Sequence, residues 1–218
     1  MDLQDATLDE LREALAPDLA ANAAFDGWNN QAIDAAADAR GVDRDVARLA
    51  FPSGAIGMID AWFASVDVAM AGRFTPEQLG AMKIRERITV LVEARLAILA
   101  PHRDSLRRAL AILAMPQNAP RAARLGWRSA DAMWRLAGDT ATDYNHYSKR
   151  AMLGGIYAAT IAVFVQDDSE DYADTRAFLG RRIEDIMRFE KAKARFLGRE
   201  TYRPSLSRFI GRLRYPAV

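Results

Sequence analysis

Apolar residues along this chain recur at helical spacing almost from end to end, and no convincing apolar–polar alternation of the kind that marks a strand interrupts them. Thr7 and Glu10 have the spacing of a capping box and predict a helix running to about residue 24. Asn29 or Asn30 can cap a second helix through Ala37, with Gly41 as its stop. Asp43 can cap a short third helix through Ala50, which Phe51-Pro52 ends because proline disfavours helix in the residue before it. A fourth helix covers roughly 54–71. Thr75-Pro76-Glu77 opens a long fifth one, which turns Met82, Ile84, Ile88, Leu91, Val92, Leu96 and Leu99 inward and closes at Pro101. Further helices are expected near 103–115, 119–137, 145–166 and 170–197, and Pro204-Ser205 introduces a last short segment. The pattern predicts an all-α bundle in three parts: a three-helix head over 1–54, a main bundle over 55–200 and a C-terminal segment over 204–218.

Half of the 218 residues are hydrophobic, enough for one well-buried core. The absence of cysteine excludes disulfides, thiol nucleophiles and Cys-ligated metals, and fits a reducing cytoplasm. Met1-Asp2-Leu3-Gln4-Asp5 lacks the basic start and apolar core of a secretory signal, and no unbroken apolar run approaches the ~20 residues that span a bilayer. Either a bacterial cytoplasmic chain or an already processed one is therefore expected. The net charge of +1 hides a strong polarity. Residues 1–60 carry twelve acidic side chains and four basic ones (Arg12, Arg40, Arg44 and Arg48), a net of −8, whereas residues 176–218 carry twelve basic and four acidic, a net of +8.

Catalytic equipment is sparse. His102 and His146 stand apart with no ligand-spaced partner, and the phosphate-binding, dinucleotide-binding and nucleophile-elbow motifs are all missing. No enzyme activity, cofactor or metal is expected. The acidic run Asp167-Asp168-Ser169-Glu170-Asp171 lacks the glycine and spacing of a calcium loop and reads as a helix N-terminus. The head, in the order helix, turn, short helix, then Phe51-Pro52-Ser53-Gly54, resembles that of TetR-type repressors. A DNA-binding head needs lysine and arginine to neutralise phosphates, and this one is strongly acidic, so no nucleic-acid partner is expected. A TetR-type transcriptional regulator binding a hydrophobic effector is the alternative function.

The second half carries an ordered set of residues. Gly126-Trp127, Ala130-Asp131-Ala132-Met133-Trp134 and Ala137-Gly138-Asp139 are followed by Asp143-Tyr144-Asn145-His146-Tyr147-Ser148-Lys149-Arg150. Leu153, Tyr157, Thr160, Asp167, Ser169, Thr175, Phe178-Leu179 and Arg182 complete the set. It resembles the Coq-nine family of ubiquinone (coenzyme Q) biosynthesis accessory proteins over about residues 75–195. The resemblance implies a TetR-like fold, often dimeric, that no longer serves DNA binding and holds isoprenoid lipid where repressors hold effectors. It also implies membrane contact through a C-terminal amphipathic helix and association with the hydroxylase that acts on demethoxyubiquinone. The function expected is an accessory protein that holds an isoprenoid quinone precursor and presents it to a membrane-associated hydroxylase. It would work as a homodimer, peripheral on the cytoplasmic face of the inner membrane.

Three groups of residues would serve those roles. The lipid-binding set is Trp127, Trp134, Met152, Gly154, Gly155, Ile156, Tyr157, Thr160 and Phe164, where a glycine pair inside a helix points to close approach by a ligand or another helix. The partner-binding set is Asp143, Asn145, His146, Tyr147 and Arg150, although Asp143 also suits an N-cap and Arg150 a structural ion pair. In the tail, Leu206, Phe209, Ile210 and Leu213 share one helical face while Arg208, Arg212 and Arg214 lie off it. This pattern is that of a basic amphipathic helix at a membrane surface, or of a helix docked back on the body or on a second subunit.

Overall fold

The first helix, α1 (Leu8–Asp26), starts where the sequence places it: Glu10 N–H donates to Thr7 Oγ1 at 3.3 Å and Thr7 N–H donates back to the Glu10 carboxylate at 2.8 Å. The computed structural model describes residues 3, 5–140, 142 and 144–198. Helix α2 (Asn30–Arg40) is capped by Asn29 and stops at Gly41, whose φ of 66° lies in the left-handed region that glycine adopts without penalty. Helix α3 (Arg44–Leu49) is capped by Asp43, which accepts from the N–H groups of Asp45 and Val46. The chain continues with α4 (Gly54–Ala71), α5 (Pro76–Gly80), α6 (Ile84–Leu99), α7 (Arg103–Leu113), α8 (Ala119–Leu136), α9 (Tyr144–Phe164) and α10 (Ala173–Gly198). The fold is all-α, with no strand among the described residues.

The long fifth helix expected from the sequence is broken in two. Lys83 is extended, its N–H donates to Glu86 at 2.9 Å, and α6 begins at Ile84. Arg87 holds the break: its guanidinium donates to the carbonyls of Met82 at 2.9 Å, Gly80 at 3.1 Å and Ala137 at 2.7 Å. One side chain thus satisfies orphan carbonyls at the ends of both α5 and α8. The break also turns Ile84 outward, leaving it 43% exposed rather than buried as expected.

Head and bundle share one core, in a compact unit that runs to Gly180. Helix α1 packs against α2, α3, α4 and α7, with Leu11, Leu15 and Leu19 fully buried. Trp28, just after α1, donates to the Ser105 carbonyl at 3.0 Å and stacks 5.2 Å from the ring of Trp62 on α4. Helix α4 is long and apolar enough to cross a membrane by composition, despite Asp60 and Asp67. Here its Met58, Ile59, Trp62, Phe63, Val66 and Met70 are buried in the bundle. A second unit begins at Arg181 and is described as the continuation of α10 to Gly198. The tail over 204–218 lies outside the described residues.

Candidate functional site

Helices α8 and α9 lie side by side because small residues let them. A methyl group placed on Gly154 would sit 3.6 Å from the Gly126 carbonyl oxygen and 3.9 Å from the Ala130 side chain, whereas Gly155 faces open space. The glycine pair therefore marks a close crossing at its first member. Beside that crossing, the short side chains leave an apolar cavity of about 280 Å³. Phe63 of α4, Leu110 and Leu113 of α7, Leu125, Gly126 and Ser129 of α8, and Gly154, Tyr157 and Ile161 of α9 line it. Its size is near the lower end of the range for small-molecule pockets, ~300–1,000 Å³.

Behind the cavity wall sits a charge with no exposure at all. Arg95 of α6 is completely buried, stacks 4.9 Å from the Tyr157 ring, and donates from Nε to the Tyr157 hydroxyl at 2.9 Å and from Nη2 to the Ser129 hydroxyl at 3.0 Å. Its Nη1 is ion-paired to Asp67 of α4. Burial disfavours the charge, but Tyr157 and Asp67 outweigh it and hold the guanidinium pKa above its ordinary value. Burial likewise pushes the Tyr157 phenol up, keeping it protonated. Asp67 also accepts from Arg128 Nε at 3.2 Å, and Arg128 in turn reaches the Asp60 carboxylate at 2.6 Å. The cavity is therefore largely apolar, and two of its lining residues, Ser129 and Tyr157, carry hydroxyls that rest on a neutralised cation.

The residues expected from the sequence fall into different places. Tyr157 and Gly154 line the cavity. Trp134 faces α9 instead, donating its indole N–H to the Lys149 carbonyl at 3.0 Å, and Thr160 donates to its own helix at Ile156. Met152 and Ile156 are half-buried on α9. Phe164, fully buried at the far end of α9, lies 4.8 Å from the Tyr172 ring beside a separate cleft. Trp127 is 37% exposed and joins His146 and the 61% exposed Tyr147 in a surface aromatic cluster, with ring centroids 6.4 Å and 6.0 Å away. Asn145 is exposed at the same end of α9, and Asp143 lies outside the described residues. Arg150 is 1% exposed, with ion pairs to Asp131 at 2.6 Å and Asp139 at 3.0 Å. Its guanidinium anchors α9 to α8 beneath that cluster.

Arg95, Asp67 and Ser129 are the site residues that sequence reasoning missed. An arginine in the run Leu91-Val92-Glu93-Ala94-Arg95-Leu96 and an aspartate inside the apolar helix α4 are the signal, since isolated charges on inward positions call for a partner.

The head has no free arginine to offer a phosphate among its four. Arg40 pairs with Asp18, Arg44 with Asp38 and Arg48 with Asp34, each at 2.6 Å, and Arg12 donates to the Ala50 carbonyl at 2.9 Å.

Comparison with known proteins fits this geometry. The COQ9 family model matches residues 119–190, which include Ala122, Leu125, Gly126, Ser129, Gly154, Tyr157 and Ile161 of the cavity. The chain is similar to the ubiquinone biosynthesis protein COQ9, mitochondrial, of Rattus norvegicus, 48% identical over 96 residues that cover 44% of this chain and 31% of that protein. The protein of the same name from Homo sapiens is 46% identical over 96 residues, 44% of this chain and 30% of that one. The Drosophila melanogaster protein is 25% identical over 193 residues, 87% of this chain and 59% of its own length. The matches to the two mammalian relatives thus span under a third of those proteins. Among solved structures, a TetR transcriptional regulator from Nitrosomonas europaea ATCC 19718 superposes with a TM-score of 0.63 at 24% identity, covering 81% of this chain and 97% of that chain. Residues 119–190 of this chain match the COQ9 family model, and the all-α fold that carries them resembles that of a solved TetR regulator.

Proposed function

We propose that this chain is a non-catalytic accessory protein of ubiquinone biosynthesis that holds an isoprenoid quinone precursor and presents it to a membrane-associated hydroxylase. The observation that carries the reading is the apolar cavity between α4, α7, α8 and α9, most of whose wall comes from the COQ9 segment. An isoprenoid tail gains roughly 0.8 kcal/mol for each buried CH₂, so it stays in lipid unless a protein offers comparable burial. The surface cluster of the exposed Trp127 and Tyr147 with the half-buried His146 is the one proposed for the hydroxylase, because large aromatics are common interface anchors. The basic amphipathic segment 204–218 supplies the membrane contact, which places the protein peripherally at the membrane that houses the pathway. A homodimer is the assembly proposed.

The test is genetic and chemical. Removing the gene should lower ubiquinone and accumulate a late prenylated precursor. Wild-type protein should restore the pool, and Ala122→Phe, which fills the cavity from α8, should not. Full restoration by a folded Ala122→Phe variant would sink the cavity's role. The TetR fold keeps a transcriptional reading in view, yet a net charge of −8 over residues 1–60 and the internal pairing of the head arginines disfavour it. Retarded migration of genomic fragments at physiological salt would revive it.

A further inference from the structure

The cavity's polar wall carries information about which ligands it takes. Ser129 and Tyr157 are 1% and 2% exposed, and each hydroxyl oxygen accepts from the same guanidinium. An oxygen that accepts from a cation turns its own hydrogen away from that cation. Elsewhere in the protein buried or half-buried hydroxyls spend that hydrogen locally. Ser65 donates to Trp62 O and Thr160 to Ile156 O, each on its own helix, while Thr175 donates to Asp167. Among the described residues neither Ser129 nor Tyr157 has such an acceptor, and both line the cavity. A buried O–H left without an acceptor costs about 1–3 kcal/mol. Two together at one wall of an otherwise apolar chamber are a selective feature rather than a packing remnant.

We infer that Ser129 and Tyr157 form a paired donor site that selects isoprenoid lipids whose head carries a carbonyl acceptor over hydrocarbons of equal length, with Arg95 as the positioning residue. The inference rests on the lipid-holding reading above and narrows it to a ligand class: ketone, quinone or ester oxygen at the polar wall, chain along the apolar one. Arg95 never touches the ligand. It orients both hydroxyls and polarises them, while Asp67 neutralises it so that the chamber presents donors without net charge.

The probes are farnesylacetone, an isoprenoid ketone, and its oxygen-free analogue of the same chain length. Both are delivered from cyclodextrin and titrated calorimetrically into the full chain. Wild-type protein should prefer the ketone by about tenfold, the worth of one to two hydrogen bonds. Ser129→Ala and Tyr157→Phe should each cut the preference several-fold and together erase it. The infrared carbonyl stretch of bound farnesylacetone should shift to lower frequency in the wild type and return in the double variant, a readout that a structural role would not move. Equal affinity of wild-type protein for both probes, or an unshifted carbonyl, would overturn the donor site and leave the lipid cavity standing. Binding of neither probe would overturn both.

Discussion

Replacing Arg95 with methionine removes a completely buried charge without opening a large void. The side chain is 0% exposed and bonded to Asp67, Ser129 and Tyr157. Breaking a buried ion pair from one side costs about 3–5 kcal/mol, because the surviving charge is left uncompensated. Asp67 keeps Arg128 at 3.2 Å and is 12% exposed, so its isolation is incomplete and the low end, about 3 kcal/mol, is expected. For a chain of this size that corresponds to a fall in melting temperature of roughly 6–12 °C. Urea unfolding followed by circular dichroism measures it, with the m-value checking that the denatured state is unchanged. The double variant Asp67→Leu/Arg95→Met removes both charges, and because an apolar pair of similar volume often matches a buried ion pair, it should recover at least half of the loss. A loss below about 1 kcal/mol for Arg95→Met, or a double variant no better than the single one, would refute the reasoning.

Other consequences are equally direct. Asp167 is buried and accepts four hydrogen bonds from Ser169 and Thr175; burial alone would raise its pKa, but these bonds hold it far below the ordinary carboxylate range. Its contribution is therefore complete above its unfolded pKa of about 3.9 and is lost as the pH falls through the depressed folded value. Asp167→Asn should cost about 2 kcal/mol at pH 7, and the gap between variant and wild type should narrow steadily in urea titrations below pH 4; a gap that is constant with pH would contradict this. Gly138 has a φ of 87° and its missing methyl would lie 3.2 Å from Arg87 Nη1, so Gly138→Ala should destabilise by about 2 kcal/mol, read as a clear drop in melting temperature, and an unchanged value would refute it. Deleting residues 204–218 should abolish sedimentation with anionic liposomes and leave the helical circular dichroism signal per residue intact; retained liposome binding would move the membrane contact elsewhere.

Much of the fold was legible because its signals are local. Caps at Thr7, Asn29 and Asp43 and the stop at Gly41 fixed helix boundaries to within a few residues. The break between α5 and α6 was not legible, since it depends on Arg87 reaching the Ala137 carbonyl fifty positions away. The site divides in the same way. Tyr157 and Gly154 sit on a helix whose small residues announce a close neighbour. Arg95 and Asp67 look like solubilising interruptions of apolar runs until the helices are packed and each proves to be the other's partner. Trp127 and Trp134, seven apart, read as one face of α8, yet one contributes to an exposed cluster and the other hydrogen-bonds to the α9 backbone. An apolar residue's address in a sequence reveals that it avoids water; whether it touches a neighbour, a ligand or a partner is a property of the gap left between helices.

If the chamber between α4, α7, α8 and α9 holds an isoprenoid lipid, as proposed, that lipid should leave the cell with the protein. Mass spectrometry of organic extracts from the purified full chain, wild type beside Ala122→Phe, tests it most directly. A near-stoichiometric prenylated quinone or quinone precursor is expected with the wild type, and its loss from the folded variant. An equal lipid content in the two proteins, or none in either, would contradict it.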